Sequence, residues 1–155
     1  MYETRSRMGL REECIYVCLG TTFGTKPMGW FILRKGGGEG NRRLIPIPIP
    51  SFPSPRRATY VSMGCGIYVI GGMIDPMTTS SGVSFLDCRT HTWSQLPSMR
   101  FARREAKAGV LDGKIYVMGG CVGADWGNDN PEVFDPKTQT WSSVCIPDPP
   151  VMNKE

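Results

Sequence analysis

Histidine is almost missing from this chain of 155 residues: His91 is the single one. A catalytic or metal centre that needs several imidazoles therefore has no residues to build it. No run of about 18 apolar residues occurs, the length a membrane-crossing helix requires, and residues 1–11 are charged rather than apolar. Neither a membrane span nor a secretory signal is expected. Six cysteines stand at 14, 18, 65, 88, 121 and 145 without a C-x-x-C pair. Cys14 and Cys18 have no second Cys/His pair to complete a tetrahedron, so no zinc site is expected. Without an export signal the thiols are expected to stay reduced, most as small apolar fillers, in the cytoplasm, the nucleus or both. G-x-S-x-G, H-E-x-x-H and G-K-S/T are all missing, and Gly64-x-Gly66 precedes no helical pattern. The reading is of a non-enzyme: no catalytic residue, cofactor or metal ligand is assigned, and His91 is a turn residue.

What the chain does contain is a repeat. Ile67-Tyr68-Val69-Ile70-Gly71-Gly72 and, later, Phe85-Leu86-Asp87-Cys88-Arg89-Thr90-His91-Thr92-Trp93 recur as Ile115-Tyr116-Val117-Met118-Gly119-Gly120 and Val133-Phe134-Asp135-Pro136-Lys137-Thr138-Gln139-Thr140-Trp141. One offset of 48 residues (115 − 67) aligns Gly71 with Gly119, Asp87 with Asp135 and Trp93 with Trp141 without a gap. Short apolar runs between Gly, Asp and Pro punctuation read as strands of small antiparallel sheets.

In the second copy, residues 106–111 run into Asp112-Gly113, suited to a two-residue hairpin because both positions tolerate positive φ. Residues 114–118 return. Gly119 and Gly120 follow, either because the chain leaves the sheet with a backbone a Cβ would obstruct or because another backbone approaches closely. Residues 132–135 and 140–144 are the third and fourth strands, joined by a turn in which Asp135 bonds amides ahead of it and Pro136 pre-sets φ. Cys88 replaces that proline in the first copy. Trp93 and Trp141 read as packing residues between successive sheets.

A spacing near ~50 residues with paired glycines and a distal Trp resembles the kelch repeat, each copy a four-stranded blade of a β-propeller. The resemblance implies an all-β fold: an incomplete kelch propeller with two full blades, 58–99 and 100–145, and a degenerate partial blade at 15–34. There Cys14-Ile15-Tyr16-Val17-Cys18-Leu19 echoes the Ile-Tyr-Val strand, and Trp30-Phe31-Ile32-Leu33 is taken as an outer strand equivalent to the Trp93 region. Residues 1–14 form a lead-in, 35–57 a Gly- and Pro-rich linker or edge segment, and 146–155 a tail. Residues 1–57 hold ten Lys/Arg against four Asp/Glu. These positive residues are scattered without aromatic interleaving, so nucleic-acid binding is not expected.

The order of charged lead-in, Ile-Tyr-Val-Cys-Leu strand, Trp-Phe segment, Pro-rich linker and Gly-Gly blades is similar to plant F-box/kelch-repeat proteins. That family carries an F-box of about forty residues that recruits a cullin-type ubiquitin ligase, while the propeller holds the substrate; this scale is that of the family, not of these residues. No F-box is visible here, so the resemblance implies a substrate-recognition module, truncated relative to the family, with ligase subunits as partners only if an F-box is supplied upstream. An inactive remnant or a metal-dependent kelch enzyme are the alternatives. Recognition is expected on loops at one propeller face. The candidates are Asp125, Trp126 and Asn128 after the second Gly-Gly, with Arg100, Arg103 and Arg104 between the blades.

Overall fold

The computed structural model describes residues 14–20, 29–35, 42–52, 54–121 and 130–144. It divides into two units, Met1–Ser51 and Phe52–Glu155. Every regular element among the described residues is a strand.

The first unit holds an antiparallel three-stranded sheet in chain order, β1 (Ile15–Leu19), β2 (Gly29–Lys35) and β3 (Arg42–Ile47). Trp30 and Ile32 are buried, and Ile47 lies opposite Trp30 in the register. Two expectations need correction here. The partial blade does not end at 34, because residues 42–47 form a ladder along β2. Trp30 stands in the middle strand and not in an outer one. The prolines explain why β3 looked like linker: Pro46 lies inside it and Pro48 and Pro50 follow it, and a proline without an N–H is tolerated in a strand only at a sheet edge, where β3 stands.

The second unit contains two four-stranded antiparallel sheets of identical order. Blade one is β4 (Thr59–Met63), β5 (Gly66–Ile70), β6 (Val83–Asp87) and β7 (Thr92–Leu96); blade two is β8 (Lys107–Leu111), β9 (Lys114–Met118), β10 (Glu132–Asp135) and β11 (Thr140–Ser143). The β8–β9 turn has φ of 50° at Asp112 and 71° at Gly113, the paired left-handed values of a twist-matched hairpin. In blade one only Gly64 of the corresponding pair is left-handed, so Cys65 is tolerated beside it.

The turns between third and fourth strands show why the repeat spells Asp-x-(Arg/Lys)-Thr-x-Thr-Trp. Asp87 and Asp135 each accept, through Oδ1, the amide two residues on, at 2.8 and 2.9 Å. Their carbonyls accept the amides of His91 and Gln139, both at 2.8 Å, which lie at φ of 56° and 58°. The two threonine hydroxyls of each turn meet at 2.7 Å. Where blade two has Pro136, blade one has Cys88, and there the Arg89 guanidinium clamps Asp87 through Nε at 3.0 Å and Nη2 at 2.6 Å. His91 is thus a half-buried turn residue in a left-handed conformation.

One core lies between the two blades. Side chains alternate along a strand, so Val61, Tyr68, Ile70 and Val83 leave one face of blade one and meet Ile115, Val117 and Phe134 from blade two. Phe85, Ala108 and Trp141 close its margin. Tyr68 and Phe134 touch across this boundary edge to face, with ring centroids 6.2 Å apart. On the far face of blade two, Leu111 and Met118 are exposed.

Candidate functional site

The segment 99–105, which leads from blade one into blade two, carries the three arginines singled out by the sequence. It runs against both glycine pairs. The Gly72 amide donates to the Arg103 carbonyl at 2.7 Å, and the Arg104 amide donates to the Gly120 carbonyl at 2.9 Å. A Cβ on Gly71 would come within 2.4 Å of the Arg103 carbonyl oxygen, and one on Gly120 equally close to that of Arg104. Both reasons for glycine, close approach and positive φ, therefore hold at these positions. Gly119 is different: it needs only its φ of 70°, and a Cβ there meets nothing within 4 Å.

Arg103 is not at the surface. Its side chain is fully buried (0%) and Glu132, at the start of β10, is 1% exposed. Arg103 Nε donates to Glu132 Oε2 at 3.1 Å, Nη1 to the Gly119 carbonyl at 2.8 Å and Nη2 to the Asn130 carbonyl at 2.8 Å. Glu132 Oε1 accepts the Arg100 amide at 2.6 Å, and Oε2 also accepts the Phe101 amide at 3.4 Å. A buried charge needs a partner and a full set of hydrogen bonds; here both ions have them. The pair ties the inter-blade segment to the end of β9 and the start of β10. Arg103 is accordingly a structural residue, and its expected place in an interaction surface is corrected.

The arginines on either side of it do reach the surface. Arg100 is exposed with its guanidinium 5.4 Å above the Phe101 ring, a cation–π arrangement. Arg104 is half-buried, with Nη1 3.6 Å from Met73 Sδ. Arg57 and Glu105 form an exposed ion pair beside them at 3.6 Å. Asp125, Trp126 and Asn128 lie outside the described residues.

Sequence reasoning missed Glu132. Its signal was an acid next to Val133-Phe134 in a strand, where blade one has Ser84. By the 48-residue offset Arg103 corresponds to Pro55, so blade one lacks both members of the pair. In their place it has a cleft of about 90 Å³, lined among others by Phe52, Pro55, Val69, Ser80, Ser84 and Gln95. The lining is mostly apolar, with Ser80, Ser84 and Gln95 as its polar side chains.

The two tryptophans hold equivalent registers, Trp93 opposite Leu86 and Trp141 opposite Phe134, with different neighbours. The Trp141 ring packs on Phe134 at 5.1 Å and its Nε1 donates to the Pro97 carbonyl of blade one at 2.7 Å. Trp93 meets Phe52 edge-on at 6.3 Å. Both are half-buried. Among the described residues no group of three or more His, Cys, Asp or Glu is placed to hold a metal ion, and no helix is long and apolar enough to cross a membrane.

Identical four-stranded meanders, stacked face to face and joined through glycine pairs, define a kelch-type β-propeller region. The profile described as "FKB95, Kelch-repeats domain" matches residues 30–155, and the chain belongs to that kelch-repeat family. It is 43% identical over 148 residues to a putative F-box/kelch-repeat protein of Arabidopsis thaliana, covering 93% of this chain and 37% of the relative. A second Arabidopsis F-box/kelch-repeat protein is 43% identical over 147 residues, covering 95% of this chain and 54% of the relative. The chain thus spans about half or less of these relatives' length. Among solved structures it resembles YjhT, with a TM-score of 0.66 at 20% identity over 84% of this chain and 48% of that one. It also resembles a copper-bound fungal alcohol oxidase of the AA5 family, with a TM-score of 0.59 at 21% identity over 76% of this chain and 27% of that one. At such identities both show the fold alone.

Proposed function

We propose that this kelch region is a non-enzymatic protein-interaction module. It holds a protein substrate for a cullin-type ubiquitin ligase, which an F-box carried outside these residues recruits, in the cytoplasm or nucleus. The observation that carries the reading is the combination of the kelch-family match over residues 30–155 with curated relatives named F-box/kelch-repeat proteins. The contact surface proposed is the exposed Arg100 with Arg104 and the loop bearing Asp125, Trp126 and Asn128. An aromatic and arginines on loops fixed to a rigid sheet suit an interface anchor.

Co-purification from plant extract tests this, using the chain alone and a version joined to an F-box. Ligase subunits are expected only with the joined version. The proteins captured by both versions are expected to fall at least tenfold on Trp126→Ala or on combined Arg100→Ala and Arg104→Ala, the loss of ~1.4 kcal/mol or more that an interface hot spot gives. Capture unchanged by all three substitutions refutes the surface. Turnover of a captured protein that is unaffected by the joined version refutes the adaptor role.

A further inference from the structure

Cys65 and Cys88 are backbone neighbours one step beyond the end of one ladder. The β5–β6 pairing runs from Ile70 opposite Val83 to Gly66 opposite Asp87. One step further, the Cys88 amide donates to the Cys65 carbonyl at 2.9 Å. Directly opposed residues of antiparallel strands have Cα atoms about 4.5–5.5 Å apart, within the ~4.4–6.8 Å window that a disulfide spans, and the single Cys88–Cys65 backbone bond keeps the two residues neighbours where the ladder gives way to the turn. Both are thiols and both are half-buried, within reach of a small oxidant. The Cys88 thiol donates a weak hydrogen bond to the Leu86 carbonyl at 3.8 Å.

The pair belongs to blade one alone. At the corresponding positions of blade two, 48 residues on, stand Gly113 and Pro136. The blade template therefore requires a cysteine at neither place. The hairpin turn asks only for a residue that tolerates the second position after Gly64, and the Asp87 turn is already held by Arg89.

We propose that Cys65 and Cys88 are a modification site, forming a reversible disulfide by exchange with a low-molecular-weight disulfide such as oxidised glutathione. One cysteine thiolate attacks a sulfur of the glutathione disulfide, forming a mixed disulfide and releasing one glutathione thiolate. The second cysteine thiolate then attacks the protein sulfur of that mixed disulfide and displaces the other glutathione. Two protein thiols and one glutathione disulfide give one protein disulfide and two glutathiones, so atoms and electrons balance. The product is a covalent ring that holds the two central strands of blade one together around the loop 71–82. That loop carries the exposed Met77 and Ile74.

The test exposes the full chain to oxidised glutathione, blocks the remaining thiols by alkylation and maps cross-linked peptides by mass spectrometry. The expected result is loss of two thiols and a single 65–88 linkage. Cys65→Ser or Cys88→Ser should instead leave a stable glutathione adduct on the remaining cysteine. After a protease nick within 73–82, the two pieces of the oxidised chain should migrate together on a denaturing gel without reductant and apart with it. Three outcomes overturn the proposal: a mixed disulfide that persists on Cys65 or Cys88 of the unaltered chain, linkages scattered over Cys14, Cys18 and Cys121, or a 65–88 linkage that forms as fast in the urea-unfolded chain.

Discussion

Replacing Glu132 by Gln changes one atom type, and the structure says it should be among the most damaging single changes in the second unit. The carboxylate accepts two backbone amides and Arg103 Nε while both ions are buried. A carboxamide keeps one acceptor oxygen, turns an NH2 toward donors, and leaves the guanidinium without a counter-charge. Breaking a buried pair by removing one partner costs about 3–5 kcal/mol, a large share of the ~5–15 kcal/mol that holds a typical domain. Removing both ions at once, in Arg103→Met with Glu132→Gln, relieves the uncompensated charge, so the double variant should lose much less than the sum of the two singles. Urea unfolding followed by tryptophan fluorescence gives the four free energies by linear extrapolation. A loss below about 1 kcal/mol for Glu132→Gln, or additivity in the cycle, would refute the reasoning.

The other expectations are smaller and equally open to measurement. Gly119→Ala should lower stability by about 1–2 kcal/mol through its left-handed backbone alone, whereas Gly120→Ala should lose clearly more because its Cβ would also strike the Arg104 carbonyl; thermal unfolding of the two variants gives the order, and the reverse order contradicts it. Trp141→Phe keeps the ring against Phe134 but deletes the bond to the Pro97 carbonyl, so about 1 kcal/mol should disappear from the chemical-denaturation free energy. The Asp135 carboxyl is held below the ordinary carboxylate range first by the Lys137 amide and then by Lys114, and that of Asp87 first by the Arg89 side chain. A depressed folded value means the stabilisation is present above about pH 4 and fades as pH falls through the folded value. Asp135→Asn and Asp87→Asn should therefore flatten the acid limb of the stability profile, and an unchanged acid limb would contradict the assignment.

The repeat was legible because its residues answer to local rules. Asp112-Gly113, the Asp87 and Asp135 turns and the glycine pairs each dictate a backbone conformation within a few residues, and the bounds of β6, β9 and β10 followed from them. What local rules do not govern was lost. Pro46, and Pro48 and Pro50 just after it, argue against a strand until it is known that β3 is an edge strand, where a proline is tolerated. Arg103 reads as a surface charge because its partner lies 29 positions away in another strand (132 − 103). Nothing within its own segment indicates that Gly119, Asn130 and Glu132 converge on it. The same holds for Trp126: local rules fix no partner for a loop aromatic.

The central claim is that two sheets built on one template stack face to face, and the contact between Tyr68 of β5 and Phe134 of β10 tests it most directly. In a cycle of Tyr68→Leu, Phe134→Leu and both together, the stacked arrangement predicts a coupling of about 0.5–1.5 kcal/mol in unfolding free energy. Losses that add to within about 0.3 kcal/mol would mean that the rings do not meet, and that the blades are not packed in this way.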